Sequence, residues 1–293
     1  MKKIVTMAAA VACALALTAC GGGGDDGGSG SGSSGNILSR ADEGIWSNLN
    51  DAGVGSSGMQ AVILSDGSYW GIYGSVFQDG DFSPSGVLHG AASIDGGSVS
   101  GAYTNFSGNG NFSGTYSGIV SAQKNLNLIF NESSDTVLSA MAVGGSFNMN
   151  YESIYNQPVS LSAIEGNYLY GGYGLIPGGP VIIMDGSNSS IIAPSLTISG
   201  SGLTLKDQDG NAIMTGTLTP HGTTVNVFDV SLTADITIKN YTILGLFSDS
   251  DVSAGAIYKG ILFQTSSGIL KNKIEIVAAG GSSAFSYIGK KQD

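Results

Sequence analysis

Few residues in this sequence are of types that move protons, hold metals or act as nucleophiles. Its two histidines are His89 and His221. Neither has an acid or cysteine cluster beside it in sequence, and a metal site needs more ligands than that. Both read as solvated or hydrogen-bonded imidazoles, and no metal or cofactor is expected. There is no Gly-x-Ser-x-Gly elbow, and two histidines give a Ser-His-Asp set little to be built from. Asp207-Gln208-Asp209-Gly210-Asn211 places oxygen ligands at alternate positions, like the opening of a calcium loop. Ala212 stands where that loop needs glycine and Leu218 where it needs the bidentate acid, so the segment reads as a hairpin turn. Asp249-Ser250-Asp251 reads as a polar loop, and Glu43 and Glu165 as two equivalent strand starts. No catalytic residue is assigned and no enzyme is expected.

Aromatic side chains are the remaining candidates. Tyr69, Trp70 and Tyr73 share one strand, with Trp70 on the face opposite the two tyrosines. Tyr168, Tyr170 and Tyr173 cluster with glycines. Such side chains either pack a core or form surfaces that stack on sugars or meet proteins.

The elements that would carry these residues begin after an unusual N-terminus. Lys2 and Lys3 precede an apolar run from Ile4 to Leu17 broken only by Thr6. That run is too short to span a bilayer and has the length of a signal-peptide core. Leu17-Thr18-Ala19-Cys20 resembles the lipobox of bacterial lipoproteins. The resemblance implies that residues 1–19 are removed, that Cys20 carries diacylglycerol, and that its new amine is acylated. Two or more acyl chains make membrane attachment stable. Gly21, in place of an Asp, resembles the outer-membrane default of enterobacterial lipoproteins. The only other cysteine, Cys13, lies in the signal, so no intrachain disulfide is expected.

Residues 21–35 are all Gly, Ser or Asp. Nothing there can build a core. From Cys20 to Arg40 the chain reads as a tether with a reach of about 25 Å. The formal charge is −11 and becomes −13 once Lys2 and Lys3 leave, since no acid precedes Cys20. With Arg40 the only arginine, the chain has no electrostatic footprint for nucleic acid or for an anionic lipid surface.

Beyond residue 40 the pattern is β throughout. Leu126, Leu128 and Phe130 share one face, and Phe147, Met149 and Tyr151 alternate with Asn148 and Asn150. Asp235 to Ile238 and Lys273 to Ile276 show the same period. Asp66-Gly67, Asp95-Gly96, Asp185-Gly186 and Asp209-Gly210 mark hairpin turns. A faint repeat pairs Glu43-Gly44-Ile45-Trp46 with Glu165-Gly166-Asn167-Tyr168. It continues by pairing Ala61 to Ser68 with Val181 to Ser187. Each half holds about eight short strands, the size of one all-β domain. Strand glycines between aromatics, as in Phe112 to Gly118, suit tightly coiled sheets. Two tandem antiparallel up-and-down β-barrels are expected, over residues 41–158 and 159–293, with Pro158 at the seam.

The whole is similar to lipocalin-like barrels and to the barrel domains of transferrin-binding and factor-H-binding surface lipoproteins. It also resembles proteobacterial lipoproteins that carry two β-domains on a Gly-rich tether. Gly44-Ile45-Trp46 matches the lipocalin G-x-W, although the arginine that packs on that Trp is missing. The match implies that Trp46 is structural, at the base of the first barrel. The expected function is that of a lipid-anchored outer-membrane protein with a non-enzymatic interaction or envelope-structural role. Its expected partners are the membrane, through the lipid, and a protein or small ligand. The alternatives are a lipocalin-fashion small-ligand binder and, after it, a carboxylate-based hydrolase.

Overall fold

The computed structural model describes residues 42–49, 56–76, 82–107, 110–132, 146–170, 181–185, 188–192, 195–207, 209–237, 246–248, 252–265 and 272–293. Cys20, the signal region, the tether and Asp249-Ser250-Asp251 lie outside them.

The first half contains β1 (Gly44–Ser47), β2 (Ser57–Ile63), β3 (Ser68–Val76), β4 (Phe82–Ala91), β5 (Ser93–Asp95), β6 (Ser98–Ser107), β7 (Gly110–Ser121), β8 (Asn125–Glu132) and β9 (Ser146–Tyr151). Each strand pairs with the next, except that β6 skips back to β4 and β5 extends its edge. β1 pairs with β9, closing an antiparallel barrel of eight strands. A 3-10 turn (Ser153–Asn156) and α1 (Leu161–Ile164) then lead into the second half. Pro158 lies between these two turns.

The second half contains β10 (Gly166–Tyr170), β11 (Val181–Asp185), β12 (Asn188–Ile192), β13 (Ser195–Ser199), β14 (Gly202–Lys206), β15 (Ala212–Pro220), β16 (Val227–Ala234), β17 (Leu246–Ser248), β18 (Ile257–Gln264), β19 (Lys273–Gly280) and β20 (Ser283–Lys291). Here β10 pairs with β13 and with β20, so a second antiparallel barrel of eight strands closes. The chain is thus two tandem β-barrels. Full closure leaves few edges for stray pairing.

Two details of the sequence reading are corrected. Val181 to Asp185 is not the counterpart of β2. It forms a separate hairpin with β12, and β13 takes the position beside the opening strand. Apolar content alone does not say which strand a segment will pair with. Asp235 to Thr237 is not strand, and Ile238 lies outside the described residues. β16 ends at Ala234, Asp235 lies in a turn, and Ile236 is exposed. An alternation of four residues is too short to separate a strand from a turn.

The first barrel is filled by Trp46, Tyr69, Tyr73, Tyr103, Tyr116, Phe130, Phe147 and aliphatic side chains. Its rings touch one another, with Tyr69 and Tyr116 centroids 4.8 Å apart. Tyr73, Tyr103 and Tyr116 each lie directly opposite a glycine, at Gly86, Gly114 and Gly101. A Cβ at any of the three would come within 2.8 Å of the facing ring. Glycine opposite tyrosine lets a small barrel hold large rings, with each ring covering the exposed strand backbone. Pro84 sits at a bulge, where the register slips opposite Gly74, one of the few places a strand accepts proline.

The second barrel is filled mainly by aliphatic residues with Tyr168, Phe228, Tyr258, Phe285 and Tyr287. Trp46 and Tyr168, three residues after Glu43 and Glu165, are both buried inside their barrels. Trp46 is 0 % exposed and meets Tyr151 of the closing strand edge to face, at 5.8 Å.

A third apolar cluster lies between the barrels. Its first-barrel members, such as Ile45, Val62, Trp70 and Ile72, alternate along the strands with inward residues and so point outward. They pack with Val227, Ile261, Phe263, Val277 and Ile288 from the outer face of the second barrel. Strands β2, β3, β19 and β20 are therefore covered on both faces, which accounts for their near-continuous burial.

Candidate functional site

Where this shared layer reaches the surface it opens into a cleft of about 340 Å³. Its floor is the outer face of β15, β16 and β18. Strand register places Thr217, Ser231 and Lys259 in one row, and Thr219, Asp229 and Ile261 in the next. Its wall comes from the first barrel: Leu64, Asp66 and Ser68 of the β2–β3 turn, and Trp70 of β3. That turn is held tightly, with Asp66 Oδ1 accepting from Ser68 N at 2.8 Å and Gly67 at φ +80°.

His221 joins the cleft at the end of β15. Its backbone N–H donates to Val227 O at 2.9 Å, which folds the chain back toward β16. Its Nδ1 then meets Asp229 Oδ1 at 2.8 Å. The imidazole is 14 % exposed and the carboxylate 54 %. A carboxylate oxygen accepts here, so the ring donates from Nδ1 to Asp229. A pair this exposed contributes little to stability; what it supplies is orientation of the ring.

Trp70 is stacked on His89, its cross-strand neighbour, with ring centroids 3.9 Å apart and planes at 21°. Burial holds the His89 pKa below its usual value, so the imidazole is neutral at pH 7. His89 thus backs the indole that lines the cleft.

The cleft therefore holds hydroxyls (Ser68, Thr217, Thr219, Ser231), two carboxylates, one ammonium, one imidazole and one indole. Among the described residues no group of three His, Cys, Asp or Glu side chains is placed to hold a metal. The chain matches no protein-family model, no curated protein and no solved structure.

The other residues singled out in the sequence have local partners. Asp207 Oδ1 accepts from the backbone N–H groups of Asp209 and Asn211, and Oδ2 from Asn211 Nδ2, so its carboxylate closes the β14–β15 turn. Glu43 accepts from Tyr155 Oη at 2.6 Å, in a buried position. Glu165 accepts instead from Gly200 N at 2.9 Å. The two glutamates open equivalent strands but share no partner. Tyr168 is in the core, its hydroxyl donating to Ile164 O. The side chain of Tyr170 and all of Tyr173 lie outside the described residues.

Asp229, eight residues from His221 in sequence, is in direct contact with it. Thr217, Thr219, Ser231 and Lys259 drew no attention in the sequence. Their one signal is alternation, Thr217-Leu218-Thr219 and Asp229-Val230-Ser231, which only strand register turns into adjacent rows.

Proposed function

We propose that this protein is a lipid-anchored outer-membrane lipoprotein that acts without catalysis, presenting a rigid double barrel for interaction or for envelope structure. The anchor reading is supported by Leu17-Thr18-Ala19-Cys20 and by the Gly/Ser/Asp stretch that follows. The non-enzymatic reading is supported chiefly by the filled interiors. Large aromatic and aliphatic side chains occupy both barrels, so contact with a partner falls to the outer surface. A second reading, binding of a small ligand, is supported by one observation: the cleft at the seam has the size typical of small-ligand sites. The ligand would then sit between the barrels rather than in a lumen.

Cell fractionation tests the first reading. The protein should sediment with outer membranes and be released by detergent but not by high salt. Cys20→Ala should leave unprocessed precursor. Release of the wild type by salt alone would overturn the anchored reading.

A further inference from the structure

We propose that the cleft between the barrels binds an uncharged saccharide. This rests on the second reading above, small-ligand binding, and is independent of the lipid anchor.

The chemistry of the lining selects the ligand class. Sugar hydroxyls are at once donors and acceptors, so they need both kinds of partner within a short span. The floor offers them in adjacent positions: Thr217 and Thr219 two residues apart on β15, Ser231 and Asp229 opposite them on β16, and Lys259 opposite Ser231 on β18. Asp66 and Asp229 can each accept from two hydroxyls, Lys259 donates, and His221 adds a second ring nitrogen to the lining. The carboxylate of Asp229 also fixes the imidazole plane, which a directional contact requires.

The aromatic component comes from Trp70. Its indole lines the cleft and is held from behind by stacked His89, so it is placed before any ligand arrives. A preset ring and preset polar groups reduce the ordering cost that weakens the binding of flexible ligands. Trp70 is 6 % exposed, so it gives a sugar ring an apolar rim to rest against rather than an open stacking face.

Other classes fit less well. A phosphate or nucleotide would meet two carboxylates against one lysine. A fatty acid or other hydrophobe would bury four hydroxyl-bearing side chains without partners, at a penalty for each. A metal ion would need its ligands gathered round one point, and among the described residues no three acidic or imidazole side chains are so placed.

The test uses the full-length chain in mild detergent. Glucose, galactose, N-acetylglucosamine and their disaccharides are offered singly, and saturation-transfer NMR reads magnetisation passed to the sugar. At least one sugar should bind saturably, with a Kd of roughly 1 mM, corresponding to about −4 kcal/mol. Ser231→Phe, which fills the floor from an outward-facing position, should weaken binding at least about tenfold. Asp229→Ala should do the same by removing an acceptor and freeing His221. Neither touches a barrel core, so both variants should melt within about 2 °C of the wild type, as surface substitutions usually do. Transfer to no sugar at ~50 mM, well above the expected Kd, would overturn the proposal. So would transfer that survives both substitutions in folded protein.

Discussion

Trp70 and His89 face each other across β3 and β4 with their rings 3.9 Å apart and nearly parallel. The pair sits on the outer face of the first barrel, where the second barrel packs against it. Its position links the stability of the seam to the protonation of an imidazole. The folded-state pKa of His89 lies below its usual 6.5. Such a group contributes stability above pH 6.5 that is lost as pH falls through the folded value. Urea unfolding should therefore show the wild type losing stability relative to His89→Phe, which retains a ring to stack on Trp70, as pH falls from 7 to 5. A difference between the two proteins that does not change with pH would remove His89 as a contributor.

Glu275 should act in the opposite direction. It is 0 % exposed, pointing from β19 into the layer between the barrels, in the row Val227, Phe263, Glu275, Ile288. Neither carboxyl oxygen has a hydrogen-bond partner among the described residues. Burial raises its pKa from 4.5 to about 8, so it is mostly a neutral acid at pH 7. The folded state then holds a proton that the unfolded chain releases near pH 4.5. Stability is full below that pH, declines as pH rises toward 8, and levels off above. At about 1.4 kcal/mol per pH unit, the loss across that window is on the order of 3–5 kcal/mol. Glu275→Leu should abolish this decline and raise the melting temperature at pH 8, since an apolar side chain suits the layer better than an unpaired acid. A decline retained in the leucine variant would contradict the assignment.

Trp46→Ala should be among the most damaging substitutions in the first barrel. The indole is fully buried and lies against Tyr151 where the barrel closes. Loss of burial together with the cavity left behind should cost about 3–5 kcal/mol, a large share of the ~5–15 kcal/mol available to a typical domain. Urea denaturation of the full-length protein reads this directly. A shift below ~0.5 kcal/mol, the usual size of a surface effect, would show that Trp46 does not hold the core.

Strand glycines should separate sharply by position. A Cβ at Gly101 would lie 1.8 Å from Ala91 O and 2.7 Å from Tyr116 Oη. Gly101→Ala must therefore push β4 or the tyrosine aside, at roughly 1–3 kcal/mol or more. At Gly202 the nearest atom is 3.4 Å away, so Gly202→Ala should change stability by less than ~0.5 kcal/mol. Thermal melts of the two variants give the comparison. Equal effects would contradict the packing described for the first barrel.

Several features were legible in the sequence because they depend on period two alone. Trp70 was placed opposite Tyr69 and Tyr73, and the structure puts it in the inter-barrel layer while the tyrosines fill the barrel. The Glu-Gly repeat located the opening strand of each barrel at Gly44 and Gly166. Features that depend on pairing were hidden. His221 and Asp229 meet only because the chain reverses between β15 and β16. The cleft needs two barrels in contact, and no local pattern reports that. One sign of the shared layer is Ile276-Val277-Ala278, which is apolar on both faces of its strand, as expected where a sheet is covered twice.

The central claim is that the double barrel is held to a membrane through lipid on Cys20, and metabolic labelling tests it most directly. Cells expressing the full-length chain are grown with a labelled fatty acid, and the protein is immunoprecipitated. The account predicts a labelled band for the wild type and none for Cys20→Ala, with the variant running larger because residues 1–19 remain. An unlabelled wild-type band, or equal labelling of the two proteins, would contradict it.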